Sequence, residues 1–390
     1  MLSLKLEFDP AREQQVFSAA PAAPAVFVLR GDDARAEPYV SKTANLRRRL
    51  IRLLGAPDER TKRLNLRERV RRIEYTPTAS DFESGFLLYQ VLRQLFPRVY
   101  AHRLRLRFVS LVKLHLDNPY PRASITTRLG RTGSSLYYGP FPSRAAAEKF
   151  ANDSLDFFKM RRCVENLNPD PSFPGCIYSE MKMCLAPCFK GCSDEEYRAE
   201  VVQVQAYLDS RGESLVRAFS EQRDQAAGNL EFERAAAWHG RLDKLRRVAS
   251  QLPEMVQRID RLAALIIQPS TAPECVTLFR VDAGRIAGPA IFSIQPLEHT
   301  KSQSMESRVQ QALDLMPSHM VRSGLETMEH LALLKRWYYR GTRTGEIFFA
   351  DDRGTLPMRR IVRGISRVYR GEKPETAELP TSGMPPAPAK

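Results

Sequence analysis

The apolar positions of this chain change period as they run, and each change predicts an element. Ala25-Val-Phe-Val-Leu29 is an unbroken apolar run closed by Gly31-Asp-Asp33, which predicts a short strand ending in a turn. Tyr39-Val40, after Pro38, predicts a second strand. From Asn45 to Leu54, Leu46, Leu50, Leu53 and Leu54 recur at helical spacing, with Arg47, Arg48, Arg49 and Arg52 between them. Val70 to Tyr75 predicts a third strand. Ser80, with Glu83 three residues on, is a capping-box start for a helix running to about Leu95, where Pro97 stops it. Residues 106–150 hold short β-like runs and the turn segment Tyr137-Tyr-Gly-Pro-Phe-Pro142, followed by a helix over 145–158.

From Asp194 to about Leu265 the pattern predicts two or three antiparallel helices. Tyr197, Val201, Val204, Tyr207 and Leu208 form one stripe; Leu230, Ala235, Trp238, Leu242, Leu245 and Val248 form another. Residues 275–295 read as a hairpin turning at Asp282-Ala-Gly284. Helices at about 306–315 and 324–340 and a strand at 346–350 follow. The expected organisation is a flexible lead-in over 1–20, a small α/β unit over 21–105, and a linker and cysteine region over 106–192. A helical region over 193–268, an α+β region over 269–371 and a disordered Pro-rich tail over 372–390 complete it.

Composition narrows the partners. The 390 residues carry 60 Lys plus Arg against 45 Asp plus Glu, a formal charge of +15. Such a balance attracts polyanions, nucleic acid first, although a basic protein without such a ligand has the same composition. No apolar run approaches the ~20 residues of a membrane span. The N-terminus has no apolar signal core, so the cytoplasm is the expected compartment and no membrane partner is expected.

Five of the six cysteines lie between Cys163 and Cys192, spaced Cys163-x12-Cys176-x7-Cys184-x3-Cys188-x3-Cys192. Clustered thiols outside a small secreted scaffold suggest metal before disulfide. Sets of four suit Zn²⁺ or an iron–sulfur cluster, and buried free thiols are the bland alternative. A helix through Cys184, Cys188 and Cys192 would put all three on one face.

Three motifs occur in one order: PAVF…YVSKTANLRRR from Pro24 to Arg49, YYGPFPS ending at Ser143, and LEFERAAAWHGRL from Leu230 to Leu242. Together, over about residues 20–265, they resemble the UvrC/Cho family of excinucleases, whose N-terminal unit is a GIY-YIG nuclease domain. The resemblance implies an α/β fold with a small mixed-sheet GIY-YIG-like unit, then a cysteine segment and a mostly helical UVR region. It implies nucleotide excision repair on lesion-bearing double-stranded DNA, with a single 3′-side incision at sites loaded by UvrB. Carried over, Tyr39, Lys42 and Arg49 are the catalytic candidates, and Arg47, Arg48 and Arg52 are candidates for DNA backbone contact. Cys163, Cys176, Cys184 and Cys188 match the ligands of a [4Fe–4S] cluster, with Cys192 spare and zinc as the alternative. Leu230, Phe232, Glu233 and Ala236 match the UvrB-binding hairpin.

The chain also departs from the family pattern. Phe27 and Ser41 replace a motif tyrosine and a glycine, and counting from Pro97 puts Leu88 at the metal glutamate and Tyr100 at the asparagine. Leucine cannot ligate Mg²⁺ or Mn²⁺, which take oxygen donors. Glu83, five residues away on the helix, is turned about 140° round the axis. Alongside the endonuclease, the sequence therefore supports a second reading, a non-catalytic DNA- and UvrB-binding adaptor.

Overall fold

In the computed structural model the chain is described for residues 2–33, 35–57, 63–130, 135–295, 303–316 and 323–373. The α/β class holds, built on three four-stranded sheets in which every pairing is antiparallel.

The first sheet has the order β1-β4-β2-β3, from β1 (Leu4–Glu7), β2 (Ala25–Arg30), β3 (Tyr39–Thr43) and β4 (Arg72–Pro77). The unbroken apolar run is explained by position: β2 is central and buried on both faces. Ala25, Phe27 and Leu29 pack under α1 (Glu13–Ala19) and α2 (Leu46–Leu54). Val26 and Val28 face α3 (Asp81–Leu95) instead. In α2 the four leucines are buried, and Asn45 caps the helix by accepting from the Arg48 amide at 2.9 Å. The expected lead-in over 1–20 is instead part of this unit. β1 pairs with β4, and Phe8, Val16 and Phe17 bury in the core; these short apolar pairs form a packed element only once a sheet edge is available.

After α4 (Tyr100–Leu104), the second sheet has the order β6-β5-β7-β8. Its strands are β5 (Ser110–His115), β6 (Arg122–Thr126), β7 (Ser135–Phe141) and β8 (Gln257–Arg258). Residues 106–155 are therefore not a linker: the sheet and α5 (Arg144–Leu155) form a packed layer on α7 (Asp194–Asp209) and α9 (Phe232–Ser250). In YYGPFPS the glycine has a steric reason. Gly139 has φ +154°, and a Cβ there would stand 2.6 Å from Leu111. Tyr138 donates to Asp209 at 2.8 Å, and Tyr339 donates to the Pro140 carbonyl at 2.9 Å.

Between these lie α6 (Ile177–Glu180) and α8 (Glu213–Gly228), the latter forming a hairpin with α9. Helix ends at Ser250, short of the 265 expected, because Pro253 and the β8–β9 strands take over. The third sheet has the order β11-β10-β9-β12, from β9 (Ala264–Pro269), β10 (Cys275–Asp282), β11 (Arg285–Ser293) and β12 (Glu346–Phe349). The hairpin at Asp282-Ala-Gly284 forms as expected. α10 (Met305–Asp314) and α12 (Met358–Arg370) cover one face, and α11 (Gly324–Tyr338) covers the other. Helix α12 buries Ile361, Ile365 and Val368 and turns Arg359, Arg363 and Arg370 to solvent. The tail expected to be disordered lies, from residue 374 on, outside the described residues.

The largest core joins separate stretches of sequence. Phe82, Phe86, Tyr89 and Leu92 of α3 pack with Val109 and Leu111 and with Ile266, Phe279, Leu331 and Trp337.

Candidate functional site

Tyr39 and Arg49 are brought together. Arg49 donates from Nη2 to the Tyr39 hydroxyl at 2.8 Å, across from strand β3 to helix α2. The Tyr39 ring lies 6.0 Å from Phe27. Arg49 keeps its buried Nε without a hydrogen-bond partner.

Lys42 does not join them. Three residues after Tyr39 on an edge strand, it points to the opposite face and ion-pairs with Asp81 at the start of α3. Asp81 is also paired with Arg340, just past the end of α11. These two cations hold its carboxyl below the ordinary range, although burial pulls the other way. A cavity of about 150 Å³ sits here, lined by Lys42, Asp81, Gly85, Leu88, Arg336 and Arg340 over an apolar floor.

Leu88, one of the positions read as departures, lines this cavity. Leu88 is half-buried against the shared core. Glu83 is spent on the helix start: it accepts from the Ala79 amide at 2.9 Å while its own amide donates to Ser80, and burial raises its pKa. Tyr100 donates to Glu329 of α11, a carboxylate 1% exposed that also accepts from the Tyr89 hydroxyl at 2.8 Å. Burial, and then the Glu329 carboxylate, push Tyr100 up to about 12. Arg93 and Arg285 pair with Glu326, one turn back on α11. The face where a metal glutamate and asparagine were sought is a buried joint to the C-terminal sheet layer, and no oxygen donor at position 88 exists to hold Mg²⁺ or Mn²⁺.

The arginines of α2 divide. Arg48 and Arg52 are exposed. Arg47 donates to the Ala20 carbonyl at 2.9 Å and the Ser18 carbonyl at 3.2 Å, so it ties α2 to α1. Arg47 is exposed as well, but two of its donor nitrogens, Nε and Nη2, are engaged by backbone.

The cysteine segment is made of turns rather than the helix that would align Cys184, Cys188 and Cys192. Lys182, Ala186 and Lys190 have left-handed backbone, and only Pro187–Phe189 forms a short 3-10 turn. All five thiols are free and half-buried. Cys184 is pushed up to about 11, first by burial and then by the neighbouring sulfurs of Cys163, Cys188 and Cys176. Cys192 instead has Glu196 and Asp194 as its strongest charged neighbours. Among the described residues, no three His, Cys, Asp or Glu side chains converge closely enough to hold one metal ion. Arg161, beside the segment, is 1% exposed and donates to the Cys163 sulfur at 3.4 Å. Cys184 thus has three sulfur neighbours, with a buried cation beside Cys163.

Leu230, Phe232, Glu233 and Ala236 cluster at the tip of the α8–α9 hairpin, all exposed, with Leu230 at 71% and Phe232 at 69%. Leu230 leaves the helical stripe expected of it because it sits in the turn with φ +61°. Ala235 and Trp238 are half-buried, and Leu242, Leu245 and Val248 bury as expected. Asp81, Glu329, Arg340 and Arg161 were not read from sequence as site residues. Only Arg161 left a trace there, as an arginine two places before a cysteine.

Among the described residues no helix is long and apolar enough to cross a membrane. Residues 110–207 match the UvrC/Cho excinuclease middle domain. UvrABC system protein C of Trichlorobacter lovleyi is 31% identical over 227 residues, covering 56% of this chain and 36% of that protein. The same protein of Psychrobacter cryohalolentis is 27% identical over 327 residues, 82% and 53% respectively. That of Acetivibrio thermocellus is 22% identical over 339 residues, 85% and 54%. The chain thus spans about half the length, or less, of these relatives. No solved structure gives a significant match. Residues 110–207 are thus similar to the UvrC/Cho excinuclease middle domain, and the sequence on either side of them is similar to UvrABC system protein C.

Proposed function

We propose that the chain serves nucleotide excision repair as a DNA- and UvrB-binding subunit whose nuclease-like unit works without a catalytic metal. The observation that carries this is the buried Tyr100–Glu329–Tyr89 contact. It places the C-terminal layer against the helix that would have to present a metal carboxylate, with Leu88 at the key position. Phosphate binding needs only cations and hydrogen-bond donors, so it survives that loss. Arg48 and Arg52, exposed one turn apart on α2, form one basic surface. Arg359 and Arg363, exposed and without an ion-pair partner among the described residues, form another. The exposed Leu230 and Phe232 at the hairpin tip suit a UvrB contact. Cys163, Cys176, Cys184 and Cys188 would hold a [4Fe–4S] cluster, which would tie the turns together and could report redox state. Four cysteine ligands suit such a cluster, with zinc as the alternative.

A second reading, an endonuclease making one 3′-side incision, is favoured by the Tyr39–Arg49 hydrogen bond. One assay separates them. The full, cluster-loaded chain is mixed with UvrA, UvrB, Mg²⁺ and a lesion-bearing duplex. The adaptor gives a stable complex with UvrB on DNA and no cut strand. Incision that disappears in Tyr39→Phe or Arg49→Ala would establish the enzyme instead.

A further inference from the structure

We propose that Arg161 is the buried counter-charge of the cysteine site, neutralising thiolate charge at Cys163 and setting the reduction potential of the group held there. This rests on the iron–sulfur reading above.

Arg161 is the largest of the fully buried side chains, at 1% exposure. Its position is fixed on several sides. Nε donates to the Tyr120 carbonyl at 2.8 Å, and Nη1 donates to the Glu165 carbonyl at 2.8 Å. Nη1 also reaches the Cys163 carbonyl at 3.5 Å and the Cys163 sulfur at 3.4 Å. Its backbone amide donates to the Tyr197 hydroxyl at 3.0 Å. Nη2 is buried with no partner at all.

What is missing is an anion. Among the described residues Arg161 makes no ion pair with a carboxylate, unlike Arg285 or Arg258, which have Glu326 and Asp209. A guanidinium cannot shed its proton to relieve the cost of burial, so a buried one requires a negative neighbour. Carbonyls accept from Nε and Nη1 but do not balance the charge. The one hydrogen-bonded neighbour able to carry negative charge is the Cys163 sulfur, with the sulfurs of Cys176, Cys184 and Cys188 behind it. Four thiolates around iron leave an anionic assembly, and an N–H···S bond from a cation stabilises it further. Reduction adds one more electron to that assembly. A fixed positive charge beside it therefore favours the reduced form and raises the potential.

The test uses the full chain, expressed and purified anaerobically, as wild type, Arg161→Lys and Arg161→Gln. Iron and sulfide content are measured first, then the midpoint potential by visible-absorption titration. The expected result is a loaded wild type and Lys variant of similar potential, with the Gln variant either shifted to more negative potential or unable to retain iron. Thermal unfolding separates charge from packing, because Lys keeps the charge while losing the fork to Tyr120 and Glu165. Equal potentials in all three proteins would overturn the inference. So would equal loss of iron from both variants with the fold intact, which would leave Arg161 as a staple only. A wild type that takes up no iron overturns the cluster reading itself, and this is seen in the metal analysis before any variant is compared.

Discussion

Arg47 and Arg48 stand side by side on α2, yet the first reaches back to the Ser18 and Ala20 carbonyls while the second extends into solvent. Arg47→Ala is expected to cost about 1–2 kcal/mol in denaturant unfolding, the worth of charged-donor hydrogen bonds at a half-exposed site, and to leave the salt dependence of DNA binding unchanged. Replacing Arg48 and Arg52 by Ala should do the converse: stability is kept, while duplex affinity falls across sequences and the slope of log K against log salt drops by roughly 1–2. His115 offers a second contrast. Burial, and then the Lys113 and Arg122 charges, lower its pKa from 6.5 to about 4, and its Nε2 lies 2.7 Å from the Ser124 hydroxyl. The unfolded chain therefore binds this proton at higher pH than the folded one. The resulting stability is present above about 6.5 and is lost as pH falls towards 4. A His115→Asn variant should show a shallower fall of the urea midpoint between pH 6.5 and 4 than wild type.

Elements with a complete local signal formed where the sequence placed them. The β2 run, α2 with its Asn45 cap, the Ser80-capped α3 and the β10–β11 hairpin carry period, start and stop within one stretch. Others depend on a partner. β1 has four residues and becomes a strand only by pairing with β4. β8 has two, and forms only because β7 is beside it. Helix α12 was not foreseen, although its arginine-rich face and apolar Ile361, Ile365 and Val368 are regular. The α8–α9 hairpin is the element whose tip has nothing to bury against. Phe232→Ala should leave stability within about 0.5 kcal/mol of wild type. It should weaken UvrB binding by roughly 30-fold, as loss of an anchor worth about 2 kcal/mol would, measured by titration of the purified proteins.

Across the whole molecule the N-terminal sheet unit is not self-contained. Phe82, Phe86, Tyr89 and Leu92 of α3 are buried only because β9, β10 and α11 lie over them. The polar links Tyr89–Glu329, Tyr100–Glu329 and Arg93–Glu326 lock the same contact. Residues 1–105 expressed alone are therefore expected to aggregate, or to show little cooperative unfolding by circular dichroism, while the intact chain unfolds cooperatively. A soluble, cooperatively folded 1–105 would show that the C-terminal layer is dispensable to the unit and would weaken the argument that its metal face is permanently closed.

The amino-acid sequence determined which stretches become the central strand and the main helices, the clustering of thiols, and the three ordered motifs. Each of these is local: periodicity, a cap, a turn residue or a spacing suffices. Tertiary structure decided what those residues face. It put Tyr39 with Arg49 but turned Lys42 to the other side of an edge strand, occupied Arg47 with backbone, and covered α3 with a helix more than 200 residues away in sequence. It also left Arg161 beside a sulfur, with no carboxylate ion pair among the described residues. Burial and charge pairing are properties of what the rest of the chain brings to a residue, so no window of sequence around Arg161 or Glu329 contains them.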